Sequence, residues 1–182
     1  MKQVAVFFTT NFEEIEALTV VDLLRRVEIP TVMVSVTDER QVKGSHDIVV
    51  QMDKTIAEVA LEDLEMLVLP GGPGTKTLED CATLMQWLTE FNEQEKPIAA
   101  ICAAPGILGR RGMLKGHMAC SFPSVEGDLA GATVVKEPAV WDGHIITGRG
   151  MGCAVDFGLA IVAFLKGFAA AEELAEKIVF KK

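Results

Sequence analysis

Five short runs of apolar residues punctuate the chain: Val4 to Phe8, Thr31 to Val36, Met66 to Leu69, Pro97 to Ile101 and His144 to Thr147. Runs of this length without polar alternation suit strands buried on both faces, as in a parallel sheet. Between them, apolar positions recur at helical spacing over Glu13 to Val27, Leu78 to Asn92, Pro105 to Arg111 and Ala154 to Phe164. A last helix is expected over Ala170 to Ile178. Strands alternating with helices imply right-handed crossovers and a doubly wound α/β sheet. Asn11 is placed to cap the first helix, with Glu14 as its capping-box partner. The stretches Gln41 to Gln51 and Ala132 to Asp142 are less regular and are expected as small hairpins or edge additions. No repeat, low-complexity tract or linker interrupts the pattern, so a single domain over residues 1–182 is expected.

Composition narrows the classes of partner. A net charge of -9 argues against nucleic acid and against anionic membrane surfaces, because both are bound mainly through Lys and Arg. The first apolar run is too short to be a signal peptide or a membrane span, and Glu13, Glu14 and Glu16 follow it. A cytoplasmic location is the expectation. The four cysteines, Cys81, Cys102, Cys120 and Cys153, form no C-x-x-C pair and have no histidine at zinc spacing, so neither a metal site nor a disulfide framework is expected.

Ligands of doubly wound sheets sit beyond the carboxyl ends of the strands. Cys102 occupies such a place: the run Pro97 to Ile101 ends at it, and Ala103-Ala104-Pro105-Gly106 opens a helix. Small neighbours permit a tight turn, and the N–H groups of a nascent helix favour a thiolate, so a lowered pKa is expected. A buried structural cysteine is the competing reading. Pro70-Gly71-Gly72-Pro73-Gly74 follows the third run, and its glycines let N–H groups approach a ligand or an oxyanion; a plain turn is the alternative. Lys76-Thr77 suggests a phosphate loop, but Thr75 stands where that motif requires glycine.

Glu16 heads an apolar stripe with Val20, Leu23 and Val27, which predicts partial desolvation and a raised pKa. Such a carboxyl could donate to an oxidised sulfur or act as a general acid. Glu13 and Glu14 fit the plainer role of first-turn acids. Asp22 with Arg25 or Arg26 reads as a surface pair, and His46, His117 and His144 have no evident acidic partner in sequence. Gly148-Arg149-Gly150-Met151-Gly152 reads as a close-packing turn, since Val155 replaces the third glycine of a dinucleotide fingerprint.

Four strings together carry a resemblance: Phe12-Glu13-Glu14-Ile15-Glu16, Leu69-Pro70-Gly71-Gly72, Ala99 to Pro105, and Asp156-Phe157-Gly158-Leu159-Ala160-Ile161. The chain resembles the ThiJ/PfpI superfamily, in the branch of bacterial YajL and the parkinsonism-associated protein deglycase, from Val4 to about Val179. The resemblance implies a flavodoxin-like three-layer sandwich, a homodimer, and no obligatory metal or organic cofactor. It implies that Cys102 is the nucleophile and oxidation-sensitive residue, that Glu16 bonds its sulfur, and that Gly72 and Ala103 supply facing N–H groups. Arg26 matches an arginine near the site, and His46 stands where relatives often carry Arg. Phe122 stands where many relatives carry a histidine close to the thiol; in the YajL-like branch the resemblance implies Phe at that place as well. Ala103 follows the cysteine where the protease branch has His, so a protease assignment finds no support.

Three functions are compatible with these residues. One is an enzyme in which Cys102 attacks reactive carbonyls or glycated substrates. Another is an oxidative-stress sensor or redox chaperone for misfolded clients, with Cys102 oxidised to sulfinate. The third is a flavodoxin-type binding module, which would need Ser/Thr-rich phosphate loops that this chain lacks.

Overall fold

A computed structural model describes residues 2–180. In chain order the strands are β1 (Gln3–Phe8), β2 (Thr31–Ser35), β3 (Gln41–Lys43), β4 (Val49–Gln51), β5 (Lys54–Thr55), β6 (Leu64–Leu69), β7 (Ile98–Ile101), β8 (Met118–Ala119), β9 (Thr133–Val134), β10 (Ala139–Asp142) and β11 (Ile145–Gly148). The helices are α1 (Glu14–Arg26), α2 (Thr75–Asp80), α3 (Ala82–Glu93), α4 (Pro105–Arg110), α5 (Ala154–Lys166) and α6 (Phe168–Lys177). The main sheet runs β10-β11-β7-β6-β1-β2-β5, parallel throughout except for β10.

Unbroken apolar strands produce two cores. Val4, Val6 and Phe8 point from β1 toward α1, α5 and α6, whereas Ala5 and Phe7 point toward α3 and α4. This is the expected three-layer α/β/α sandwich of flavodoxin type. The chain winds from β1 outward to β2, then returns to β6 on the other flank of β1. The winding therefore reverses between β1 and β6, and a crevice opens there above the strand ends. The connections Thr9–Glu13 and Pro70–Gly74 meet in that crevice, and the turn after β7 lies beside it.

Local departures from the sequence pattern have physical causes. The helix expected over Leu78 to Asn92 is two helices, because Cys81 adopts an extended backbone (φ -77°, ψ 101°) that ends α2 and begins α3. Gly167, at φ 89°, ends α5 and turns the chain into α6. Gln41 to Gln51 forms the expected antiparallel hairpin. Ala132 to Asp142 is not one hairpin: β9 pairs with β8, and β10 pairs antiparallel with β11 at the edge of the main sheet. Glu13, rather than Asn11, caps α1: its Oε2 accepts the Glu16 N–H at 2.7 Å. Asn11 instead takes a positive φ of 63° in the turn before the helix. Among the described residues no helix is long and apolar enough to cross a membrane.

Candidate functional site

Only three residues separate the end of β7 at Ile101 from the start of α4 at Pro105. So sharp a reversal forces Cys102 to φ 64°, a left-handed conformation that costs a side-chain-bearing residue of order 1 kcal/mol or more. Backbone hydrogen bonds hold it there. The Cys102 N–H donates to the Gly148 carbonyl at 2.9 Å, and the Phe122 N–H donates to the Cys102 carbonyl at 2.8 Å. The half-buried sulfur faces the N–H groups of Gly72 and Ala103.

Glu16 approaches from α1. It is wholly buried, and its Oε2 accepts the Gly71 N–H at 2.9 Å, while Oε1 has no hydrogen-bond partner among the described residues. The close approach depends on glycine: a Cβ at Gly71 would lie 2.5 Å from Cys102 Cβ and 2.6 Å from Glu16 Oε2. Gly72, at φ 97°, turns its N–H toward the sulfur.

The electrostatics revise one expectation. Burial pushes the Glu16 carboxyl up to about 7, against the opposing pull of hydrogen bonds from Cys102 and Gly71. Burial, then the Glu16 charge, pushes the Cys102 thiol up to about 12. The lowering expected from the turn is present, from the Gly72 and Ala103 N–H groups, but it is the smaller effect. The Glu16 contribution to the thiol exists only while Glu16 is ionised. A protonated Glu16 removes that repulsion and offers a donor to the sulfur. The two groups therefore titrate as a pair, and one proton moving between them decides whether a thiolate is present.

Two other predicted residues lie elsewhere. Arg26 is ten residues from Glu16 on the same helix, about 15 Å along its axis, and its Nε pairs with Asp22 at 2.6 Å. His46 is exposed on the β3–β4 turn, with Nδ1 2.9 Å from Glu14 Oε2. Glu14, assigned from sequence to a plain first-turn role, is instead buried beneath that turn. Its carboxylate accepts the His46 N–H at 2.6 Å and the Ser45 hydroxyl at 3.1 Å. Burial alone would raise its pKa, but these hydrogen bonds bring it to about 2. Nothing in the sequence joins Glu14 to a turn more than thirty residues away. Glu13, Glu14 and His46 bring one potential metal-ligand atom each within 4.8 Å, the only such group among the described residues. Glu13 caps α1 and Glu14 holds the turn, so hydrogen bonds account for the group and no metal is assigned to it.

Residues 2–164 match the DJ-1/PfpI family. The chain belongs to the DJ-1/PfpI family. Membership covers both helical layers and the elbow cysteine, and bears out the resemblance carried by the four strings. Protein dj-1beta of Drosophila melanogaster is 33% identical over 181 residues, covering 98% of this chain and 97% of that protein. Protein DJ-1 homolog A of Arabidopsis thaliana is 35% identical over 162 residues, which are 88% of this chain but only 41% of the plant protein. The solved structure of oxidized Toxoplasma gondii DJ-1 superimposes over the full length of both chains with a TM-score of 0.95 at 29% identity.

Proposed function

We propose that this single DJ-1-type domain is a cytoplasmic stress-protective protein acting on reactive carbonyls through Cys102. One observation carries the reading: the Cys102 sulfur sits in a strained elbow against a buried carboxyl, Glu16, and two backbone donors. A 2-oxoaldehyde such as methylglyoxal suits this arrangement. The thiol proton passes to Glu16 as the sulfur adds to the aldehyde carbon. The C=O electron pair moves onto oxygen, facing the Gly72 and Ala103 N–H groups. Glu16 then returns its proton to the alkoxide, giving a hemithioacetal. Transfer of the aldehydic hydrogen to the neighbouring carbon through Glu16 yields a thioester, which water cleaves to the hydroxy acid and free thiol. No histidine is required, consistent with Phe122 beside the elbow.

The test is methylglyoxal consumption with lactate formation by the wild type, Cys102→Ala and Glu16→Gln. Turnover abolished in Cys102→Ala and reduced at least tenfold in Glu16→Gln is expected. Turnover that survives Cys102→Ala defeats the reading. The unpartnered, buried Glu16 Oε1 favours a second reading, oxidation sensing, because a protonated carboxyl there can donate to a sulfinate oxygen. Two equivalents of peroxide would then add two oxygens to Cys102 and leave as water, which intact-mass analysis reads directly. We further propose a homodimer, because Ile15, Ile48 and Val49 expose apolar side chains around the start of α1 and the β3–β4 hairpin. Light scattering in solution tests it.

A further inference from the structure

We infer that Glu14 and His46 are positioning residues for Cys102, clamping the β3–β4 turn onto the segment that holds the Gly71–Gly72 donor loop. The inference rests on Cys102 being the reactive group, and it is carried by a continuous set of short contacts.

The outer contact is the clamp itself. Glu14 receives the His46 N–H at 2.6 Å, the Ser45 hydroxyl at 3.1 Å and His46 Nδ1 at 2.9 Å. Gly44 sits directly on the carboxylate, and a Cβ there would collide with Glu14 Oε1. A carboxylate buried beneath a turn carries a desolvation cost that an apolar side chain would not. What it supplies in return is direction, because charge-assisted donors fix the turn in one place.

The middle contact joins the turn to the connection between β1 and α1. The Ser45 N–H donates to the Phe12 carbonyl at 2.9 Å, and the Asn11 N–H donates to the Lys43 carbonyl at 2.8 Å. That connection in turn grips the donor loop. The Glu13 N–H donates to the Gly71 carbonyl at 3.0 Å, and the Gly74 N–H donates to the Asn11 carbonyl at 2.9 Å. Packing is close enough that a Cβ on Gly72 would lie 2.6 Å from Glu13 N and 2.8 Å from Asn11 O. The inner contact is the Gly72 N–H facing the Cys102 sulfur. Backbone hydrogen bonds and close packing thus run from the clamp to the thiol without a gap, so a displaced turn moves the Gly72 donor.

Glu14 and His46 touch neither the sulfur nor a reacting atom, so their effect must appear at Cys102 alone. Iodoacetamide alkylation at neutral pH, resolved by peptide mass spectrometry, reads Cys102 against Cys153, which is also half-buried. Glu14→Gln keeps the side chain's size and removes its charge. It is expected to slow Cys102 about fivefold, the effect of weakening one hydrogen bond to the thiolate, while Cys153 is unchanged. Gly44→Ala attacks the same contact from the other side and should act alike. His46→Gln should slow Cys102, and His46→Arg, which returns a cationic donor to Glu14, should restore the rate. An unchanged Cys102 rate in Glu14→Gln overturns the inference. So does a parallel change at Cys102 and Cys153, which would report general loosening. An inert wild-type Cys102 overturns the functional reading and this inference together, and is distinguished by appearing before any substitution is made.

Discussion

Glu16 and Cys102 show how far a side chain's behaviour depends on what covers it. A carboxyl held at about 7 when folded and near 4.5 when unfolded binds its proton more tightly in the native state. Its contribution to stability is therefore full below about pH 4.5 and is lost as the pH rises through about 7. Replacing the carboxyl with an amide keeps an acceptor for the Gly71 N–H and removes the ionisation. Glu16→Gln should thus stabilise the fold by about 2 kcal/mol at about pH 8 and by little at about pH 4. Urea unfolding at the two pH values checks this; equal effects at both would show that Glu16 is not ionising in the buried site. The same substitution should reduce the Cys102 alkylation profile from a coupled titration to a single ionisation curve. Gly71 sets the opposite limit. Gly71→Ala places a methyl group 2.5 Å from Cys102 Cβ, so the loop must retreat. A loss of about 1–3 kcal/mol is expected, with Cys102 alkylation slowed, read by thermal melting and peptide mapping.

At the scale of elements, helix-on-helix packing places Glu16. Helix α1 lies against α5, and Gly158 of α5 leaves room for Leu23 of α1: a Cβ there would meet Leu23 Cδ1 at 2.5 Å. Two effects compete in Gly158→Ala. Alanine improves helix propensity by about 1 kcal/mol, and overpacking costs about 1–3 kcal/mol. Leu23 is buried with little room to turn aside, so a net loss of about 1 kcal/mol is expected in urea unfolding; a gain would show that Leu23 swings clear. The strands and this packing face were readable in the sequence because unbroken apolar runs and a periodic stripe reflect burial directly. Cys102 and the glycine loop at 70–74 were readable because each follows the end of such a run, and Glu16 because it heads the apolar stripe of α1. Gly72 and Ala103 as the individual donors came from the family resemblance. The break at Cys81, the Glu13 cap and the role of Glu14 were not. Each depends on which of several adjacent polar groups wins a hydrogen bond or a backbone angle, and tertiary contacts decide that. The direction of the Cys102 shift was misread for the same reason, since desolvation is a property of the assembled crevice.

Across the whole molecule, the two ends of the sheet respond to acid in opposite ways. Glu16, at the carboxyl ends of the strands, favours the folded state as protons are added. At the other end, His144 precedes β11, its carbonyl accepting the Ile98 N–H at 2.9 Å. Its ring lies edge-on to His117 with centroids 5.7 Å apart, and Nε2 is 3.1 Å from Asn92 Oδ1. Burial, then the charge of His117, lowers the His144 pKa below 6.5, opposed by Glu95. Asp142 Oδ2 stands 3.7 Å from His117 Nδ1. A histidine harder to protonate when folded contributes stability that is full above about pH 6.5 and is lost as the pH falls through its folded value. Stability should therefore pass through a maximum in mildly acidic solution, limited above by Glu16 and below by His144 together with Glu14, whose contribution is lost as the pH falls from about 4.5 toward its folded value of about 2. His144→Gln can still donate to Asn92 and cannot charge. It should remove part of the acid limb of a urea-midpoint profile while leaving the alkaline limb, governed by Glu16, in place. An acid limb identical to the wild type would mean that His144 does not sense protons, and that acid acts through the carboxylates alone.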